Sequence, residues 1–344
     1  MDNRASKEIA DFVKSLFESI PSEETTDPKY VANVFTFQGR KSISFASSVI
    51  ACLPQKYSSF VDPFAGSGNF LIAARRCGKN ALGIELDNYT YFVVSNLLKK
   101  IDLKKYLSLF TIVENNVRDQ VLSLYETTCP KCGKTLHISK LFFDPATKEY
   151  YNPKKHREIE NGETIKFLEG RCPGCGSRGK VFDKNDESLI QKTDALNTSR
   201  FPNHCFITNS RINITESTGA NRYDTNFTNR SKYALLLIQD AILQLPACEE
   251  RDLIEIALVS SLALSKIAMY GSGTDNLYHV LINSAQESNV WNVFSKKIEA
   301  IQKYKEDINN TENIYLGESL TLIRQDYRKE LLDPRYKEKF DVIY

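Results

Sequence analysis

The hydrophobic pattern around residue 65 predicts a strand, a tight turn and a helix in succession. The apolar run Phe60-Val61 ends in Asp62, the turn Gly66-Ser67-Gly68 follows, and helical spacing of apolar residues begins at Phe70. A second apolar run, Ala81–Glu85, comes one helix length later and also ends in a carboxylate. Ligands of open α/β sheets bind beyond the carboxyl ends of the strands. The pattern therefore predicts a nucleoside-binding site made by the glycine turn and the two acids.

The remaining pattern predicts that this sheet resumes only near the end of the chain. Apolar residues at helical spacing predict further helices at 7–20, 43–53, 89–100, 233–243 and 250–269. Phe110–Glu114 reads as a short strand. Asn313–Leu320 reads as a strand that carries Gly317-Glu318, followed by a helix and by a last strand at 340–344. Strand, acid, helix and strand in this order are typical of a doubly wound parallel sheet.

We therefore predict an α/β fold with a Rossmann-like, doubly wound sheet and a large insertion. Residues 1–102 form an N-terminal helix and the first half of the cofactor-binding domain, and residues 311–344 continue that domain. Residues 103–310 are the insertion, with a zinc ribbon at about 125–182 and a polar and helical region at 188–310.

Composition narrows the class of protein only slightly. A chain of 344 residues with 42% hydrophobic positions can bury a sizeable core. The net charge of +2 gives no sign of a strongly basic tail, so a positive surface that binds nucleic acid would have to be confined to one part of the protein. No apolar signal core or membrane span is evident, and we predict a cytoplasmic protein without a membrane partner.

The loop favours one nucleoside cofactor over the others. A dinucleotide fingerprint needs a third glycine, and a P-loop needs a lysine, but Gly68 is followed by Asn69-Phe70. Asp62 at the strand end would repel a phosphate. A cofactor with a cationic centre and an amino-acid tail suits this acid better, which favours S-adenosylmethionine.

The segment from Asp62 to Asn69, Asp-Pro-Phe-Ala-Gly-Ser-Gly-Asn, resembles the cofactor motif of DNA methyltransferases that modify exocyclic amines (adenine N6 or cytosine N4). Gly83–Asp87 resembles the second motif of this family, whose acid binds the ribose. The resemblance implies a set of cofactor-binding residues: Asp62, Pro63, Phe64, Gly66, Gly68, Asn69, Glu85, Leu86, Asp87, Glu318 and, upstream of the loop, Thr36. For the acid of the third motif, Glu318 is favoured over Asp119.

The resemblance also implies a catalytic Asp/Asn-Pro-Pro-Tyr/Phe loop directly after the strand at 340–344. No such segment occurs in the sequence, and both Asp144-Pro145 and Asp333-Pro334 lack the second proline. No catalytic residue is therefore assigned. We expect a sheet that is incomplete at its C-terminal end, in a split subunit or a fragment whose partner polypeptide carries the loop.

Four of the eight cysteines form two matching pairs, Cys129-Pro-Lys-Cys132-Gly and Cys172-Pro-Gly-Cys175-Gly. Each turn can place two thiolates on one ion, and four thiolates make a closed tetrahedral set. We predict a structural zinc ion, although the gap between the pairs exceeds the usual zinc-ribbon spacing.

Together these features predict an S-adenosylmethionine-dependent DNA amino-methyltransferase, with adenine favoured over cytosine as its target. DNA is the expected partner. The basic cluster Lys154–Arg157 has the charge to contact a phosphate backbone, but a solvated loop is the favoured interpretation of these residues. The alternative is a non-enzymatic zinc-ribbon adaptor that binds nucleic acid and carries a vestigial Rossmann-like domain.

Overall fold

The computed structural model describes residues 27–37, 39–143, 163–206, 221–269, 285–310 and 316–344, together with residues 10, 11, 13, 14 and 18. The basic cluster at 154–157 lies outside this part of the chain. The chain forms two compact units. Residues 1–103 and 300–344 make up the first, here called the sheet unit, and residues 104–299 make up the second, here called the insertion unit.

The elements follow one another as a mixed α/β chain. In order they are α1 (Lys29–Asn33), α2 (Ile43–Ala51), β1 (Ser59–Asp62), α3 (Asn69–Arg76), β2 (Asn80–Glu85), α4 (Asn88–Leu97), α5 (Leu103–Ser123), β3 (Glu126–Thr128), β4 (Thr135–Phe143), β5 (Ile165–Phe167), β6 (Gly179–Lys180), α6 (Lys184–Asp194), α7 (Asn229–Leu243), α8 (Glu249–Ser265), β7 (Ala268–Met269), β8 (Ala285–Ser288), α9 (Val290–Asn310), β9 (Leu320–Arg324), α10 (Tyr327–Glu330) and β10 (Val342–Ile343). Short 3₁₀ turns occur at Tyr223–Asn226 and Pro334–Tyr336.

Within the described residues, the sheet unit contains a four-stranded sheet in the order β10-β1-β2-β9, and all its neighbouring strands are parallel. Numbered by their order along the chain, these strands are the fourth, first, second and third of the sheet, so the direction of winding reverses between β1 and β10. Val61, Leu82 and Ile84 form a buried cluster of this sheet. Strands buried on both faces read as continuous apolar runs, which is why β1 and β2 were visible in the sequence.

The insertion unit is built on an antiparallel sheet in the order β6-β5-β4-β8-β7, with β3 paired to β4. A buried ion pair joins its helices to this sheet, since Arg230 of α7 lies 2.6 Å from Glu287 of β8. The hydroxyls of Thr228 and Ser231 also donate to the Glu287 carboxylate, and the Arg230 guanidinium lies over the Tyr125 ring. Buried charges need such partners, because an unpaired one would be strongly destabilising.

Two sequence predictions of secondary structure are wrong. Phe110–Glu114 is not a strand but the middle of helix α5, whose buried residues Tyr106, Leu109, Val113, Val117 and Val121 recur at helical spacing. The five-residue window was too short to reveal that period. Residues 313–315 of the strand expected at Asn313–Leu320 lie outside the described residues; the strand that the structure describes begins only at Leu320 and runs to Arg324.

The border between the two units also differs from the predicted domain limits at one end. The prediction ended the insertion at residue 310, whereas residues 300–310 belong with the sheet unit. Lys305 of α9 illustrates this placement, because its ammonium donates to the carbonyls of Asn96, Leu97 and Lys99 at the end of α4.

None of the helices in the described part of the chain has an apolar stretch of the length needed to cross a lipid bilayer.

Candidate functional site

Polar residues lie at the carboxyl ends of three parallel strands of the sheet unit, along one edge of the sheet. Asp62 ends β1 and Glu85 ends β2, where Glu85 pairs in register with Arg324, the last residue of β9. Gln325 continues this alignment, since its amide donates to the Glu85 carbonyl at 3.1 Å. Asp62 lies beside the gap between β1 and β10, where the direction of winding reverses, and such a reversal is the usual position of a ligand crevice in open parallel sheets.

The turn after β1 needs glycine for two reasons. Gly66 and Gly68 adopt φ values of 47° and 73°, in the left-handed region. A Cβ on Gly66 would also lie 2.7 Å from the Phe37 ring, and one on Gly68 would lie 2.6 Å from a methyl of Val94. The glycines therefore let the protein's own side chains pack against the turn, a requirement separate from the ligand contact that the sequence pattern predicts.

The Glu85 side chain is hydrogen-bonded to the glycine turn after β1. One carboxylate oxygen accepts a hydrogen bond from the Gly66 amide at 2.9 Å, and the other accepts one from the Asp87 amide at 2.8 Å. Asp87 in turn caps α4 by accepting from the Thr90 amide at 2.7 Å. Each carboxylate oxygen has a further lone pair. The acid of β2 is thus held beside the loop of β1 and keeps the capacity to accept two hydroxyl donors.

The site is electrostatically unbalanced. Asp62 is only 4% exposed, and this burial, assisted by the nearby Glu85 charge, raises the pKa of Asp62 to about 6 despite a hydrogen bond from the Phe64 amide. Among the described residues, no lysine or arginine forms an ion pair with Asp62 or Glu85. Two carboxylates without a counter-ion favour a ligand that carries positive charge.

Aromatic rings flank the same edge. Phe64 is 69% exposed, and its ring centroid lies 4.7 Å from that of Tyr327. The Tyr344 ring stacks on Phe70 with centroids 3.8 Å apart. Burial and the Asp62 charge raise the pKa of Tyr344. These rings offer flat apolar surface next to the two acids.

The other predicted loop residues are close to the edge but differ in exposure. Leu86, directly after β2, is 68% exposed, whereas Pro63 is buried within the loop. Asn69 is also buried, and its side-chain amide donates to the Lys41 carbonyl at 2.7 Å, so it ties the upstream segment to α3. Thr36 is exposed and precedes Phe37, whose ring lies against Gly66.

Glu318 does not belong to this edge, and its assignment to the cofactor is wrong. It precedes β9, whose first residue, Leu320, pairs with Ala81 at the amino end of β2. The four residue-to-residue steps from Leu320 to Arg324 span about 13 Å, so Glu318 lies at the opposite end of the sheet. Asp119, the other acid considered, lies in α5 of the insertion unit with its side chain 93% exposed.

Asp326, which the sequence pattern did not single out, follows β9 at the edge shared with Asp62 and Glu85. It caps α10, and its hydrogen bonds from Arg328 lower the pKa of Asp326 to about 2. The signal that could have found it is the alternating run Leu320-Thr321-Leu322-Ile323, with the acid coming shortly after it.

The four paired cysteines come together in the insertion unit. Cys129 and Cys132 lie in the turn between β3 and β4, and Cys172 and Cys175 lie in the turn between β5 and β6. All four sulfur atoms lie within 4.8 Å of one another, and the Cys129–Cys175 and Cys132–Cys172 sulfurs are 3.4 Å apart.

The two turns have the same backbone geometry. Gly133 and Gly176 have φ values of 71° and 77°, and their amides donate to the carbonyls of Cys129 and Cys172 at 3.0 and 2.8 Å. With Zn–S bonds of about 2.3 Å, a tetrahedral ion needs sulfurs about 3.8 Å apart. The four thiols therefore fit a metal ion such as zinc, and they leave no coordination position for a substrate.

Comparison of the sequence with protein-family models, with curated proteins and with solved structures gave no match. Function is therefore inferred from the geometry of the site.

Proposed function

We propose that this chain binds S-adenosylmethionine at the carboxyl edge of the parallel sheet and serves in the methylation of an exocyclic amine of DNA, adenine N6 before cytosine N4. The observation that supports this most directly is the hydrogen bond of 2.9 Å between the Gly66 amide and Glu85. It holds the second acid against the first loop, as a Rossmann-like cofactor site requires.

The acids favour this cofactor over a dinucleotide. S-adenosylmethionine supplies a methyl group on a cationic sulfur, and a positive charge near Asp62 would relieve the unfavourable burial of its carboxylate. A pyrophosphate would instead add negative charge beside Asp62 and Glu85. In the proposed complex Glu85 accepts from the ribose hydroxyls, and the exposed ring of Phe64 offers a surface for a base.

The cysteine cluster has a structural role in this proposal. A zinc ion held by four thiolates would lock the two hairpins of the insertion unit as a zinc ribbon. The sequence contains no Asp/Asn-Pro-Pro-aromatic segment, and the proposal assigns the transfer step to none of its residues. A cytoplasmic location stays a prediction from the sequence.

Calorimetric titration of S-adenosylmethionine into three proteins tests the proposal. These are the unaltered chain, Glu85→Gln and Glu318→Gln. We expect Glu85→Gln to weaken binding by about tenfold to a hundredfold, because hydrogen bonds to a charged group contribute about 1.5–3 kcal/mol. Glu318→Gln is the matched control at the other end of the sheet, and its affinity should equal that of the unaltered chain.

Thermal melting of each variant shows whether the loop has kept its structure, since Glu85 also accepts from Gly66. Binding that is equal in all three folded proteins would refute the assignment of Glu85. The complete lack of binding by the unaltered chain would favour the adaptor alternative.

A further inference from the structure

The two cysteine turns of the insertion unit carry three cationic side chains to which neither the cofactor nor the metal ion has given a role. Lys131 lies between the two cysteines of the first turn, Lys134 follows that turn, and Arg171 precedes the first cysteine of the second turn. All three are exposed, and in the described part of the chain none of their side chains forms an ion pair or a hydrogen bond. They are called the knuckle cations below.

The meeting of the two turns brings the knuckle cations onto one surface. The sulfur atoms of the cysteines that directly follow Lys131 and Arg171 are 3.4 Å apart, and neighbouring Cα atoms of a chain are only about 3.8 Å apart. Lys134 joins the two turns, since a Cβ on Gly174 of the second turn would lie 3.1 Å from the Lys134 Cδ atom. The three positive charges therefore start from one small region of backbone.

Acidic residues are scarce in the same region. Residues 129–134 and residues 170–178 contain no aspartate or glutamate. The acid directly before the second segment is Glu169, and it has a partner of its own. One of its carboxylate oxygens lies 2.8 Å from Nδ1 of His137 and also accepts from the His137 amide at 3.2 Å. The two turns thus offer the knuckle cations no carboxylate.

The backbone of the turns is open to an extended partner. A side chain added at Gly133, Gly170 or Gly176 would meet no atom of the described chain. Small ligands bind in concave pockets, whereas the phosphates of a nucleic acid are contacted by lysine and arginine side chains and by backbone amides on an accessible surface. An open surface with three cations therefore suits a phosphate backbone better than a small anion.

The metal site itself suggests an alternative role for these cations. A divalent ion held by four thiolates carries an excess of negative charge, which nearby cations would offset. Backbone amides meet part of that charge, because the amides of Lys134 and Gly174 donate to the sulfurs of Cys132 and Cys172. The long side chains of lysine and arginine also keep their charged ends in water, where a partner can reach them.

We propose that the knuckle cations form a contact surface for the phosphate backbone of duplex DNA. The inference rests on the proposed function for its choice of DNA, but it uses no residue of the cofactor site, since all three cations belong to the insertion unit. Phosphate contacts carry no sequence information, so this surface positions the DNA and does not select its sequence.

Charge removal in matched pairs tests this surface. The variant Lys131→Gln/Lys134→Gln removes two knuckle cations, and Lys184→Gln/Lys192→Gln removes two exposed charges from α6. The affinity of each protein for a fluorescein-labelled duplex of about 20 base pairs is measured by anisotropy between about 50 and 200 mM salt, where phosphate contacts are resolved.

We expect the logarithmic salt slope of the knuckle variant to fall by about 1.8, since each phosphate contact on duplex DNA contributes about 0.9. The control pair should leave the slope unchanged, and Lys131→Arg/Lys134→Arg should keep it because arginine retains the charge. Equal slopes in the knuckle variant and the control pair, or no duplex binding by the unaltered chain, would overturn the proposal.

The zinc content of each variant separates the DNA contact from the alternative. If Lys131→Gln/Lys134→Gln loses zinc while its salt slope equals that of the control pair, the cations serve the metal cluster and the DNA contact is refuted.

A lysine-acetylation footprint of the unaltered chain decides the case in which the variant loses both zinc and slope. Duplex DNA should protect Lys131 and Lys134 from acetylation far more than Lys184 and Lys192, and equal protection of the four would refute the contact. None of these measurements contains S-adenosylmethionine, so a negative result leaves the cofactor proposal intact. Loss of S-adenosylmethionine binding in Glu85→Gln bears only on that proposal.

Discussion

Replacing Asp62 with asparagine removes a buried negative charge from the edge of the parallel sheet. If Asp62 is kept there for a cationic ligand, the ligand-free protein carries an electrostatic penalty that the variant should relieve. An aspartate that served only the loop would have no reason to be kept at such a cost. The stability of Asp62→Asn is therefore a test of function that requires no ligand.

The size of the penalty follows from the pKa of Asp62, which is raised to about 6 from the ordinary 3.8. At 1.36 kcal/mol per pKa unit this difference corresponds to about 3 kcal/mol. Asparagine can still accept from the Phe64 amide, but its new N–H group costs about 1–3 kcal/mol if it lacks a partner. The difference leaves a net stabilisation of about 0–2 kcal/mol.

The raised pKa of Asp62 also determines how the stability of the two proteins changes with pH. Because the folded protein binds the Asp62 proton more tightly than the unfolded chain, stability from this group is complete below pH 3.8 and is lost as the pH rises through about 6. The advantage of Asp62→Asn should therefore be absent near pH 4 and reach its full value above pH 7.

Urea unfolding of both proteins at pH 4 and pH 8, followed by tryptophan fluorescence and circular dichroism, measures this difference. Asp119→Asn, on the 93% exposed side chain of α5, is the control and should change little. If Asp62→Asn is less stable than the unaltered chain at pH 8, or if its effect is the same at both pH values, the reasoning is refuted.

Two further predictions concern the insertion unit. Metal analysis of the purified protein should find one zinc ion per chain. The Cys172→Ser substitution or a strong chelator should remove this ion and unfold the two hairpins. Retention of full hairpin structure without metal would contradict the structural role. The Arg230→Met substitution should lower the free energy of unfolding by about 3–5 kcal/mol, because it removes the ion-pair partner of the buried Glu287 carboxylate. Its control is Arg200→Met, which breaks an exposed ion pair with Asp240 and should have a far smaller effect in the same urea assay.

The sequence predicted the parts of the fold that local patterns determine. The apolar runs of β1 and β2 and the glycines between them are continuous in the chain, and the positive φ of Gly66 and Gly68 agrees with the turn that they suggested. The matched cysteine turns also repeat locally, so their meeting at one point could be foreseen.

The errors come from features that depend on the whole fold. Whether Phe110 belongs to a strand or a helix is decided by the long apolar stripe of α5, which extends well beyond any five-residue window. Glu318 and Asp326 both flank β9, and only the register of β9 with β2 shows which of them reaches the edge with Glu85. The contacts of Gly66 and Gly68 with Phe37 and Val94 likewise join distant parts of the chain.

The central claim is that S-adenosylmethionine lies against the loop of β1 and the end of β2. Ultraviolet cross-linking of the radiolabelled cofactor to the chain, followed by peptide mapping, tests it most directly. We predict label on the peptides that contain Phe64 or Tyr327, and its loss when excess unlabelled cofactor is present. Label confined to peptides of the insertion unit, or label that unlabelled cofactor does not displace, would contradict the claim.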